Sequence, residues 1–82
     1  MIVDRDGLSD ADLDALLAMA YSEGRAGQID DAIASLLLVI AELDAKGERH
    51  AFLYEWQAHL HRAVGDLAIA ERCLASARDI AV

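Results

Sequence analysis

The chain has no proline, a single cysteine, a single lysine, and only one Trp, two Tyr and one Phe among its 82 residues. Without proline, nothing breaks a helix from inside. One cysteine cannot close an internal disulfide, so a reducing, cytoplasmic setting is expected. No apolar run reaches the roughly 18 residues that a membrane-spanning helix requires. Met1-Ile2-Val3 leads at once into Asp4, Arg5 and Asp6, which is not the pattern of a secretory leader. Cations are also scarce. Seven Lys and Arg face fifteen Asp and Glu, a net charge of −8, which argues against binding a nucleic-acid backbone.

What remains is 56% hydrophobic and 27% charged, the balance of one small folded domain. The charge is uneven: residues 1–31 carry a net −6 and residues 32–82 a net −2. The acidic end (Asp4, Asp6, Asp10, Asp12, Asp14) reads as a short tail over residues 1–8 plus helix N-terminal acids. Six arginines against one lysine, with alanine the commonest residue, give the composition of a GC-rich bacterial gene.

Caps and periodicity predict four helices and no sheet. Ser9 stands three residues before Asp12, the spacing of a capping box. Leu8 and Leu13 stand at the spacing of a hydrophobic staple. Helix 1 is expected from Asp10 to Glu23 or Arg25, with the stripe Leu13, Leu16, Leu17, Ala20 and Tyr21, ended by Gly24 and Gly27. Helix 2 is expected from about Asp30 to Ala45. One face carries Ile29, Ile33, Leu36, Leu37, Ile40 and Leu43, and a second carries Ala34, Leu38, Ala41 and Ala45. Asp31, Ser35 and Glu42 form its narrow polar strip. A helix apolar on two sides is packed on two sides. Helix 3 is expected from Glu48 or Arg49 to Val64, with Phe52, Leu53, Trp56, Leu60, Ala63 and Val64 inward. Helix 4, capped by Asp66, carries Leu67, Ala70, Cys73, Leu74, Ala77, Ile80 and Ala81. Short connections make successive helices antiparallel neighbours.

Gly27 and Gly65 lie 38 residues apart, and each opens a similar segment: Gly-Gln-Ile-Asp-Asp-Ala and Gly-Asp-Leu-Ala-Ile-Ala. A period of this size means stacked helical hairpins. The segment AGQIDDAIASLLLVIAELD resembles the second helix of a tetratricopeptide repeat. Ala32 and Ala70 match that family's small contact position, Leu36 and Leu74 its large apolar position, and Val39 and Ala77 the next. Leu17-Ala18 with Tyr21 resembles the Leu-Gly-x-x-Tyr of its first helix. In helix 3 two registers fit, one through Tyr54 and Ala58, the other through Trp56 and Leu60. The family's helix-ending proline is absent. The 38-residue spacing resembles the longer repeats of bacterial regulators of the maltose-activator type.

The resemblance implies an all-α fold: four antiparallel helices as two stacked hairpins in a short right-handed solenoid, hairpin 1 over about 9–46 and hairpin 2 over about 48–82. It also implies a protein–protein interaction module, with helix 3 lining a concave groove. His50, Tyr54, Gln57 and His61 recur at helical spacing and form the expected partner-binding strip. The consecutive Leu37, Leu38 and Val39 leave apolar surface for self-association, so a homodimer, or docking on a partner protein or peptide, is expected.

Other chemistry finds less support. Glu55 and His59 stand at i, i+4, but two ligands do not make a zinc site. Small-ligand or metal sensing through this pair or the histidine strip is the alternative function. Asp4-Arg5-Asp6-Gly7 resembles the start of a calcium loop, yet its twelfth position is Ala15 instead of a glutamate. Cys73 falls in an apolar stripe as a small core residue. No nucleophile elbow and no phosphate-cradling loop is present, so neither enzymatic activity nor a cofactor is expected.

Overall fold

The computed structural model describes residues 9–81. Leu8, the acids Asp4 and Asp6, and the calcium-like segment lie outside those residues. The helices are α1 (Asp10–Arg25), α2 (Ile29–Ala45), α3 (Ala51–Ala63) and α4 (Leu67–Ala81). Among the described residues there is no strand.

The capping box at α1 forms as its spacing dictates. The Asp12 backbone N–H donates to Ser9 Oγ at 3.2 Å, and Ser9 N–H donates to Asp12 Oδ2 at 3.2 Å. Two of the helix's orphan donors are thereby satisfied. α2 starts without a side-chain cap at Gln28, but Asp30 and Asp31 place negative charge in its first turn.

All three turns close alike. Gln28 N–H reaches Glu23 O, Glu48 N–H reaches Leu43 O, and Asp66 N–H reaches His61 O, each at 2.8 Å. Gly27, Gly47 and Gly65 sit between with φ of 83°, 79° and 87°. This is the Schellman closure, which needs a left-handed residue just past the helix end. It corrects two boundaries. Gly24 does not end α1 but lies inside it. Glu48 and Arg49 do not begin α3, because Glu48 completes the end of α2; the extended His50 is the residue before α3.

The helices pack as two pairs, α1 with α2 and α3 with α4, joined mainly by α2 against α3. A core of Leu13, Ala20, Ala32, Leu36, Val39 and Ile40 fills hairpin 1 and takes in Leu53 and Leu60 from α3. A smaller cluster of Ala58, Ala70 and Cys73 joins α3 to α4. The result is a slab of 40 × 33 × 14 Å measured over Cα atoms.

The 38-residue correspondence runs through both pairs. Ala20 and Ala58 are buried at matching places on the first helices, Ala32 and Ala70 on the second. Small residues there let helix axes approach to the short end of about 8–10 Å. Ala20, instead of Ala18, therefore makes the contact in hairpin 1, and Tyr21 is 59% exposed. In α3, Ala58 and Leu60 are both buried, and Tyr54 and Trp56 are both half-buried.

α2 does pack on two helices, but its buried side is turned from the expected one. Ala32, Ser35, Leu36, Val39 and Ile40 are buried. Ser35, expected in the polar strip, donates a 2.8 Å hydrogen bond to Glu23 Oε1 in the α1–α2 interface. The second apolar side, Ala34, Leu38, Ala41 and Ala45, remains exposed.

Candidate docking surface

The strip His50, Tyr54, Gln57 and His61 does not form one open surface. α3 turns its last two members inward, because Ala58 beside them is seated against Ala70 and Cys73. Gln57 and His61 are buried, Tyr54 is half-buried and His50 is exposed. Gln57 Nε2 and His61 Nε2 lie 3.3 Å apart. The other ring nitrogen, His61 Nδ1, has no hydrogen-bond partner and stands 3.9 Å from Asp66 Oδ2. Buried as they are, Gln57 and His61 present nothing to an open groove.

Tyr54 instead ties the hairpins together. Its hydroxyl donates to the Asp44 carboxylate at 3.0 Å, and the Arg49 guanidinium lies 5.7 Å from its ring centre. Arg49 Nε is 3.9 Å from Asp44 Oδ1. Burial pushes the phenol above its ordinary pKa, the hydrogen bond to Asp44 adds to this, and Arg49 works against both.

Sequence reasoning missed a second constellation. Between α1 and α3 lies a groove of about 230 Å³ lined by Tyr21, Arg25, Trp56 and His59. Arg25 Nη1 donates to Tyr21 Oη at 3.2 Å, and its guanidinium sits 5.7 Å from the Tyr21 ring centre. The groove is smaller than the roughly 300–1,000 Å³ of pockets that enclose whole ligands. It has room for one side chain of a partner. The 38-residue offset was the available signal, since it pairs Tyr21 with His59 on one side of the parallel helices α1 and α3.

The expected self-association residues separate. Val39 is fully buried and belongs to the protein's own core; it is not available to a partner. Leu37 and Leu38 are 42% and 56% exposed. Leu38 stands between Ala34 and Ala41, and Ala45 extends the same bare apolar side of α2.

Cys73 is a free, buried thiol whose pKa burial raises, against a smaller lowering by Arg72. Among the described residues no three His, Cys, Asp or Glu side chains gather as a metal-binding group, and no helix is long and apolar enough to cross a membrane. No family model, curated protein or solved structure matches the chain.

Proposed function

We propose that this chain is a non-enzymatic protein–protein interaction module of the tetratricopeptide type, acting by docking on a partner protein or on a second copy of itself. The observation that carries the reading is the apolar side of α2 that stays bare after α1 and α3 have packed, centred on Leu38. Apolar surface left in water costs roughly 25 cal/mol per Å², and covering it with another protein removes that cost. Two like hairpins joined by identical turns, with alanines at the crossings, support the repeat-family part of the reading. The arginine-rich, alanine-rich composition and the single buried thiol support a bacterial, cytoplasmic setting.

The test is a photo-crosslinking side chain placed at Leu38 in the full chain, expressed in cells, with the same group at exposed Ala15 as control. Crosslinks to protein at Leu38 and not at Ala15 are expected. Equal yields at both positions, or none, would refute the docking role. The competing reading, small-ligand or metal sensing, requires a thermal shift with zinc, nickel or small anions, and none is expected.

A further inference from the structure

We infer that a second docking site lies toward the starts of α1 and α3, and that it takes a protein segment carrying an arginine or lysine beside a large apolar side chain. A hollow of about 360 Å³ opens there, within the range of roughly 300–1,000 Å³ found for ligand sites. Leu13 and Leu53 form its buried floor, with Leu17 and Leu43 half-buried beside them. The exposed carboxylates of Asp10 and Asp14 on α1, and of Glu48 in the second turn, also line it. So does Phe52, the chain's only phenylalanine, which is 59% exposed. His50, the one fully exposed member of the expected binding strip, stands at the same hollow, its ring centre 6.0 Å from that of Phe52.

The charge of this site is one-sided. Among the described residues, Asp10, Asp14 and Glu48 form no ion pair. No Lys or Arg lines the hollow, and His50 is the only lining group able to become cationic. Arg49, adjacent to Glu48 in sequence, is drawn instead to Asp44 and the Tyr54 ring. Asp12 does not line the hollow and is held in the capping box. Three unpaired acids therefore surround apolar surface and an open aromatic ring.

That combination is the complement of a cationic, long-stemmed side chain with an apolar neighbour. The stem of an arginine or lysine packs on apolar surface while its head stays at a polar rim. A cation over the Phe52 ring is attracted by the ring's negative face, and the carboxylates accept charge-assisted hydrogen bonds. Arginine, planar and able to meet two oxygens at once, fits better than lysine. The apolar neighbour fills the space over Leu17 and Leu43. An acidic segment would meet like charges and is disfavoured.

The test is selection of a random library of short peptides displayed on phage against the full chain. Fluorescence anisotropy then follows on the most enriched peptide. Expected is enrichment of Arg or Lys beside an aliphatic or aromatic residue, with binding that weakens from about 0.05 M to about 0.5 M salt. Phe52→Ala, and Asp14→Lys with Glu48→Lys, are each expected to weaken binding more than about tenfold. Replacing the peptide's Arg or Lys by Gln should do the same, which keeps the test independent of any variant's folding. The chain with both acids reversed should now select Asp- or Glu-bearing peptides. Leu38→Glu, on the far side of α2, should leave binding unchanged, so this site and the Leu38 side stand or fall separately.

No enriched basic peptide, equal binding to the charge-reversed chain, or loss of binding in Leu38→Glu but not in Phe52→Ala would overturn the site. A rise of more than about tenfold on Ile2→Ser with Arg5→Ser in the full chain would overturn it too. The occupant would then be the chain's own segment before Ser9. Circular dichroism and urea midpoints check that each variant is folded.

Discussion

Ser35 and Glu23 share a 2.8 Å hydrogen bond across hairpin 1, and 38 residues later the same two places hold Cys73 and His61. The first pair is satisfied. In the second, the thiol is buried and His61 Nδ1 has no partner. Removing the hydroxyl with Ser35→Ala leaves the Glu23 carboxylate short of a donor and is expected to cost about 1–2 kcal/mol in urea unfolding. Grafting the pair into hairpin 2 as His61→Glu with Cys73→Ser is expected to show favourable coupling of about 1 kcal/mol in a double-mutant cycle. Zero coupling would mean that the two hairpins do not superpose at this contact.

The turns make an opposite pair of expectations for two glycines. Gly65 has φ +87°, where any Cβ is strained. Gly65→Ala is therefore expected to destabilise by about 1–2 kcal/mol. Gly24 lies inside α1, and a Cβ there would meet Leu60 Cδ2 at 3.7 Å and Ala32 Cβ at 3.9 Å, ordinary contacts. Gly24→Ala is expected to stabilise by up to about 1 kcal/mol through helix propensity. Thermal melts of the two variants should move in opposite directions.

These glycines also show what a sequence makes legible. Turn chemistry is local, so Gly27 and Gly65 announce their turns, and Ser9 with Asp12 announces the start of α1. Periodicity places the helices because an apolar stripe has a fixed angular spacing. It does not say which part of a wide apolar helix is buried. Ser35 reads as polar surface until Glu23, twelve residues away, is brought beside it by the fold. Gln57 and His61 read as groove residues because they are polar, yet the close contact at Ala58 rolls α3 so that both face inward. Neighbouring letters cannot separate Val39 from Leu38; the contact at Ala32 sets that rotation.

Tyr54 gives the chain a pH signature. Its pKa is raised in the folded state, so the proton is held more tightly there than in the unfolded chain. The stability it contributes is complete below the unfolded value near 10 and is lost as pH rises through the higher folded value. Absorbance near 295 nm is expected to show a phenol titrating above the ordinary range that disappears in Tyr54→Phe. The same variant should unfold with a shallower loss of stability at alkaline pH. An unchanged slope would mean that the hydroxyl bond to Asp44 does not persist in solution.

Adjacent positions in α2 should behave as opposites under truncation. Leu36 and Val39 are fully buried, while Leu38 lies between them in sequence and is 56% exposed. Leu36→Ala leaves a cavity against α1 and α3 and is expected to cost about 2–5 kcal/mol, enough to threaten the fold of a domain this small. Val39→Ala removes less volume and should cost less than Leu36→Ala, at any protein concentration. Leu38→Ala opens no cavity within one chain, so unfolding of dilute protein is expected to change by no more than about 0.5 kcal/mol. At high concentration the result should differ, because association that favours the folded state raises its apparent stability by mass action. The melting temperature of the parent chain is therefore expected to climb with concentration, and that of Leu38→Ala to climb much less. A concentration-independent melt in both would leave the Leu38 side chain without a partner in solution.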